Sequence, residues 1–244
     1  MDALIIAAGY GSRLRELSDS KPLTEVAGIT LLELGVRQAR AAGAARVVVV
    51  TGHKAADIEA FLPELSEQTG ISVVAVRVDD WSKPNGYSVM AGAAAIAGDY
   101  LLMMSDHIFS AEILTRLARQ GAADRGVTLA IDTRVDSPLV DPDDATWVKL
   151  DASHKITAIG KTIPAYDAVD CGAFLATSEL ADAIAAAIAA GQSGSLSDGM
   201  QRLADAGRAA TMDVGEAWWL DVDDPRAHAL AEVQAPVELS EIYG

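Results

Sequence analysis

Residues 4–23 read LIIAAGYGSRLRELSDSKPL, and this stretch decides the fold. Residues 4–8 form an apolar run suited to a strand buried on both faces. The run stops at Gly9-Tyr10-Gly11-Ser12-Arg13, and Lys21-Pro22-Leu23 begins eight residues after the arginine. A strand that ends in a glycine loop lets backbone N–H groups approach a phosphate closely. Arg13 and Lys21 add two cations beside that loop. Ala7, Ala8, Gly9, Gly11 and Ser12 therefore read as the lining of a nucleoside triphosphate site. No Gly-Lys-Ser/Thr closes the loop, and no third glycine completes a dinucleotide fingerprint, so neither of those phosphate-binding patterns applies.

Outward from this strand, apolar runs alternate with helical patterns. Strands are expected at 46–51, 71–76, 100–104 and 127–131, and helices at 31–42, 55–65, 86–97 and 111–120. Ser110 stands where it would cap the last of these. Such alternation implies βαβ crossovers and a mainly parallel sheet. The rhythm changes after residue 132. Residues 132–144 hold five aspartates and two prolines and read as a loop. Short strands are expected at 147–150, 156–159, 169–176 and 210–214, and helices at 179–190 and 196–206. Ser195-x-x-Asp198 is a capping pattern, and Asp224-Pro225 reads as the cap and first position of a C-terminal helix. The whole chain, 1–244, reads as one domain, with a nucleotide-binding half (1–132) and an acceptor-binding, closing half (133–244).

Composition narrows the function classes. Half of the 244 residues are apolar, ample for a core of that length. The net charge of −16 disfavours a nucleic-acid partner or an anionic membrane surface. No apolar run approaches the roughly 20 residues of a membrane helix. A single cysteine, Cys171, excludes an internal disulfide and points to a reducing, cytoplasmic setting.

Further constellations carry chemistry. Ser105-Asp106-His107 follows an apolar strand, which puts Asp106 at the strand's carboxyl end, where open α/β sheets bind ligands. A carboxylate facing a triphosphate there is a natural Mg²⁺ ligand. Asp221, in Trp219-Leu220-Asp221-Val222-Asp223, follows another apolar stretch and is the expected second ligand, with Asp223 in an outer or capping role. His107 is open between hydrogen bonding, packing and catalysis. Lys161, one of only six lysines, directly follows a strand and is a candidate for a second phosphate, with Tyr166, Asp170 and Gly172 downstream of it. In Lys83-Pro84-Asn85-Gly86-Tyr87-Ser88, Asn85, Gly86 and Ser88 either contact a base or ribose or serve a helix start. Cys171 falls inside a strand and reads as buried rather than nucleophilic, and four scattered histidines give no zinc spacing.

Nearly end to end, from IIAAGYGSRL and KPL to WLDVDDP, the chain resembles the sugar-phosphate nucleotidyltransferase superfamily. Within it, WSKPNGYSV (81–89), LLMMSDHIF (101–109), IGK with YDAVDCGAF (159–174) and LSDGMQRL (196–203) resemble CTP:inositol-1-phosphate cytidylyltransferases most closely. Cys171 departs from that pattern, where Thr is expected between Asp and Gly. The resemblance implies a single Rossmann-like α/β domain of the type-A glycosyltransferase kind, with a mixed, mainly parallel sheet. It implies transfer of a cytidylyl group from CTP to a phosphorylated alcohol, with release of pyrophosphate. Inositol 1-phosphate is the expected acceptor; phosphocholine, a phosphonate or a sugar phosphate are the alternatives. In this picture Mg²⁺ sits on Asp106 and Asp221, Arg13 and Lys21 neutralise the triphosphate, and Lys161 holds the acceptor phosphate. A membrane CDP-alcohol phosphotransferase, fused downstream in several relatives, is an implied partner. An inactive, nucleotide-binding regulatory protein is the reading from a different class.

Overall fold

The computed structural model describes residues 1–14, 17–121 and 126–244, and for Ser12 the backbone only. Its frame is a nine-stranded sheet in the order β10-β9-β11-β6-β1-β4-β5, with β8 beside β11 and β12 beside β8. The first half supplies β1 (Asp2–Ala7), α1 (Leu31–Ala41), β4 (Arg46–Thr51), α2 (Ala55–Thr69), β5 (Ser72–Arg77), α3 (Asn85–Ala93), β6 (Tyr100–Met104), α4 (Ala111–Gln120) and β8 (Val127–Asp132). The second half supplies β9 (Trp147–Leu150), β10 (Ile156–Gly160), β11 (Ala168–Ala176), α5 (Ser178–Ala189), α6 (Leu196–Asp205), β12 (Ala209–Asp213), α7 (Pro225–Glu238) and α8 (Ser240–Tyr243). A short hairpin, β2 (Glu25–Val26) with β3 (Ile29–Thr30), precedes α1, and a small ribbon pairs β7 (His107–Phe109) with β13 (Trp219–Asp221).

The sheet is mixed and mainly parallel. Strands β1, β4, β5, β6, β8, β9 and β12 share one direction, and β10 and β11 run against them. Alternating side chains of β1 explain why both faces are covered. Ala3, Ile5 and Ala7 pack into one apolar cluster with α1, α2 and α4, while Leu4, Ile6 and Ala8 pack into another with α3, α5 and α6. A third cluster joins α7 and α8 to the β2–β3 hairpin and the β7–β13 ribbon.

Local signals act largely as read. Ser195 and Asp198 form a reciprocal capping box, and Asp224 accepts from Ala227 N with Pro225 in the first turn. Ser110 occupies the position before α4 but makes no side-chain cap bond. The helix at 86–97 is shorter than its apolar pattern, ending at Ala93 ahead of the left-handed Gly98.

Candidate active site

The site forms where the carboxyl ends of β1 and β6 lie side by side, with Ile6 in register with Met104. Beyond β1 the chain turns through Gly11 at φ +61°, and a Cβ there would stand 2.5 Å from Lys21 Cβ. Glycine is thus required both by the backbone and by the approach of Lys21. Lys21 opens a 3-10 turn with Pro22, and only 8% of its side chain is exposed.

Beyond β6, Asp106 does not cap a helix, because β7 begins at the next residue. β7 pairs antiparallel with β13, setting Asp221 opposite His107. Val222 N donates to Asp106 O at 2.8 Å, which fastens the ribbon to the end of β6. Two carboxylates far apart in sequence, Asp106 and Asp221, therefore meet around His107. The three-residue strands that do this are too short to announce themselves by alternation.

Two cavities share this corner. One, of about 330 Å³, is lined by Ala7, Ala8, Gly9, Gly11, Arg13, Lys21, Asn85, Ser88, Ser105 and Asp106. The other, of about 210 Å³, is lined by His107, Asp144, Lys161, Asp170, Gly172 and Asp221. Asn85, Met104, Asp106 and Asp223 border both. The side chain of Ser12 lies outside the described residues. Gly86 lines neither cavity. It packs against α5 and the turn before α6, where a Cβ would stand 2.3 Å from Gly194 O. Asn85 is half committed, since its Oδ1 accepts from Leu196 N at 2.8 Å. Tyr166 also lines neither cavity. Its exposed ring stacks on Trp147 with centroids 4.0 Å apart, which draws it away from the acceptor position expected for it.

An ion-pair chain crosses the corner. Lys21 Nζ donates to Asp106 Oδ2 at 2.6 Å and to Asp223 Oδ1. Arg13 pairs with Asp223 and, at 2.7 Å, with Asp144 Oδ2; Lys161 Nζ donates to Asp144 Oδ1 at 2.5 Å. Asp223 is therefore a bridge between two cations, and Asp224 does the capping. Asp144 is the functional candidate that the sequence hid, because nothing in its aspartate-rich loop distinguishes it from Asp141 or Asp143.

The electrostatics follow from burial and crowding. Burial opposes charge on Asp106, but Lys21 and His107 outweigh it and hold the carboxyl well below the ordinary range. Burial alone would discharge His107, yet Asp221, Asp106 and Asp170 push its pKa up to about 9. Its Nδ1 lies 3.0 Å from Asp106 Oδ1, and its ring lies parallel to Trp219. Burial, reinforced by Asp106 and Asp144, raises the Asp221 carboxyl. Burial also pushes Asp170 up to about 6, against the Gly172 N–H that it accepts at 2.7 Å. Cys171 is fully buried with its thiol pushed well up, so it is no nucleophile.

Carboxylate oxygens of Asp106 and Asp221 with a His107 nitrogen, and those of Asp144, Asp221 and Asp223, each converge closely enough to hold a cation. Among the described residues Asp221 Oδ1 is buried with no hydrogen-bond partner, His107 Nδ1 standing 3.7 Å away. A buried carboxylate oxygen left without a hydrogen bond among other carboxylates fits a hard divalent ion.

The fold and site together set cations beside metal-competent aspartates at the carboxyl edge of an α/β sheet, an arrangement suited to a phosphate-bearing ligand. The chain belongs to the MobA-like NTP transferase domain family, whose profile matches residues 3–207. It is 35% identical over 94% of its length to the "Bifunctional IPC transferase and DIPP synthase" of Rubrobacter xylanophilus, and 28% identical over 91% to the protein of that name from Aquifex aeolicus. It spans about half the length of these relatives, 51% and 49%. In fold it is similar to the inositol-1-phosphate CTP transferase from T. maritima, with a TM-score of 0.83 at 23% identity over 99% of this chain and 95% of that one. Among the described residues no helix is long and apolar enough to cross a membrane.

Proposed function

We propose that this protein transfers the cytidylyl group of CTP to a phosphorylated alcohol, inositol 1-phosphate, releasing pyrophosphate. The observation that carries the reading is the pair of cavities meeting at Asp106 and Asp223. Such a corner suits two phosphate-bearing substrates that must bring an oxygen of one against a phosphorus of the other. The names of the relatives and of the structural neighbour support the substrate class, and a CTP-dependent reaction suits the cytoplasm. A membrane CDP-alcohol phosphotransferase is the consumer of the product in this scheme.

The glycine loop, Arg13 and Lys21 bind and neutralise the triphosphate. Lys161 orients the acceptor phosphate, so proximity supplies much of the rate. An acceptor oxygen forms a bond to the α-phosphorus as the bond from that phosphorus to pyrophosphate breaks. The electron pair leaves with pyrophosphate beside Arg13 and Lys21. No general base is needed, because a phosphate monoester is already largely ionised at neutral pH, its second pKa being about 6. Asp106 and Asp221 would hold Mg²⁺, which when bound supplies charge stabilisation at the transferred phosphate.

The test is pyrophosphate release from CTP or UTP with inositol 1-phosphate, phosphocholine or glucose 1-phosphate as acceptor. CTP with inositol 1-phosphate should be fastest. Equal use of UTP, or faster turnover of another acceptor, overturns the substrate assignment. Asp106→Asn and Asp221→Asn should each lower turnover on the order of 10²-fold or more, and should weaken Mn²⁺ binding measured by electron paramagnetic resonance. Near wild-type turnover and Mn²⁺ affinity in both variants would refute the metal assignment.

A further inference from the structure

We propose that Trp81 is the platform on which the nucleobase of the bound nucleotide stacks. The proposal rests on the nucleotide reading of the glycine-loop cavity, which Trp81 lines.

Phe, Trp and Tyr make up 5% of this chain, yet two of them gather with a histidine at the carboxyl ends of the adjacent strands β1, β4 and β5. Tyr10 follows β1, His53 follows β4, and Trp81 lies between β5 and α3. The rings of Tyr10 and Trp81 are stacked, with centroids 5.7 Å apart and planes 9° from parallel. His53 meets both edge-on, at 4.7 Å from Tyr10 and 5.0 Å from Trp81. Trp81 also sits directly over the backbone at Gly52. A Cβ at that position would lie 2.7 Å from Trp81 Cβ and 2.8 Å from Ala8 O. The indole is therefore braced by two rings and seated beside the end of the phosphate loop.

Despite this bracing, Trp81 remains 40% exposed and Tyr10 36% exposed. An aromatic cluster left partly exposed, with its indole on the wall of a cavity, is a binding feature rather than core. Its chemistry complements the cations on the same cavity. Arg13 and Lys21 suit the charged end of a nucleotide, and an indole face suits the planar, uncharged end. Base–aromatic stacking tolerates every base, because each has a π face. Trp81 therefore contributes affinity for the nucleoside and leaves the choice between cytosine and uracil to hydrogen-bonding groups.

The experiment is calorimetric binding of CTP and of inorganic pyrophosphate, with Mg²⁺ and without acceptor, to the wild type, Trp81→Ala and Trp81→Phe. The Kd for CTP should rise about 5- to 100-fold in Trp81→Ala, the span of one lost base stack. Trp81→Phe should recover most of that loss, and pyrophosphate should bind all three proteins equally. In parallel, CTP but not pyrophosphate should quench the fluorescence of the wild type, and Trp81→Phe should lose that quench while still binding CTP. The fluorescence arm stands even where Trp81→Ala fails to fold. An unchanged CTP Kd in folded Trp81→Ala, an equal loss of pyrophosphate binding, or a quench that persists in Trp81→Phe overturns the proposal. A wild type that binds no nucleoside triphosphate at all would instead sink the nucleotide reading itself.

Discussion

Lys21 Nζ lies 2.6 Å from Asp106 Oδ2 and also pairs with Asp223, so one buried ammonium joins the two carboxylates that border both cavities. The cation neutralises the site at rest, and in the proposed reaction it also faces the phosphates of the nucleotide. Lys21→Met keeps the length of the side chain and removes the charge. Turnover should fall on the order of 10²-fold or more. Stability should fall by about 1–3 kcal/mol, because Asp106 and Asp223 each lose a charged partner in a confined space. Steady-state kinetics and urea unfolding measure the two effects. A catalytic efficiency within about threefold of wild type would remove Lys21 from the phosphate site.

Gly172 is held at φ +73°, and a Cβ there would stand 2.4 Å from His107 Cδ2. The backbone of β11 therefore fixes the imidazole that lies between Asp106 and Asp221. Gly172→Ala should lower stability by about 1–2 kcal/mol for the left-handed backbone alone, and more for the collision. In a His107→Ala background the collision disappears. The double variant should therefore be more stable than the sum of the two single effects predicts, and a strictly additive double-mutant cycle would contradict the contact.

The first half of the fold and the glycine loop with its two cations were legible because their signals are local. Apolar runs, a glycine turn and two cations lie within twenty residues of one another in LIIAAGYGSRLRELSDSKPL. Asp106 and Asp221 were legible as carboxylates after apolar stretches, but the ribbon that opposes them was not, because three-residue strands carry no periodicity. Asp144 and the bridging role of Asp223 stayed hidden for another reason. Each is defined by partners on distant segments, Arg13 and Lys161 for one, Arg13 and Lys21 for the other. Tyr166 and Gly86 stand beside motif residues yet line neither cavity: Tyr166 packs against Trp147, and Gly86, at the helix start that was its alternative reading, packs against Gly194.

Acid should weaken the wall behind His107. Asp132 is 1% exposed, accepts from Trp219 Nε1 at 2.8 Å and receives a forked pair of bonds from Arg134. Burial opposes its charge, but Arg134 and Trp219 outweigh it and lower the carboxyl below its ordinary value. Because the folded pKa is depressed, the stabilisation is fully present above the unfolded value of about 3.9. It is lost as pH falls from there through the folded value. Asp132→Asn should cost about 1–3 kcal/mol at pH 7, and the gap from wild type should narrow below about pH 4. Urea unfolding across pH 3–7 measures this, and a gap that stays constant over the range would exclude the carboxylate as its source. Because Trp219 lies over His107, the same variant should also lower turnover without changing the Kd for CTP.

In the proposed reaction Lys161 serves the acceptor and not the nucleotide. Its side chain is 57% exposed at the second cavity and is held at rest by Asp144, which also holds Arg13. A phosphate entering that cavity would compete with Asp144 for the ammonium. Lys161→Ala should therefore raise the KM for inositol 1-phosphate about tenfold or more, the worth of one charge-assisted bond, with little change in the KM for CTP. Asp144→Asn, which frees Lys161, should lower the acceptor KM or leave it unchanged. The same cavity bears on the acceptor's identity. A quaternary ammonium calls for open aromatic faces, whereas the aromatic residues lining this cavity among those described, Phe174 and Trp219, are buried. Polar groups at Asp170, Lys161 and Asp144 suit the hydroxyls and phosphate of a polyol instead. At saturating CTP, inositol 1-phosphate should therefore turn over faster than phosphocholine. A larger rise in the CTP KM than in the acceptor KM would move Lys161 to the nucleotide, and faster use of phosphocholine would refute the polyol assignment while leaving the transfer chemistry intact.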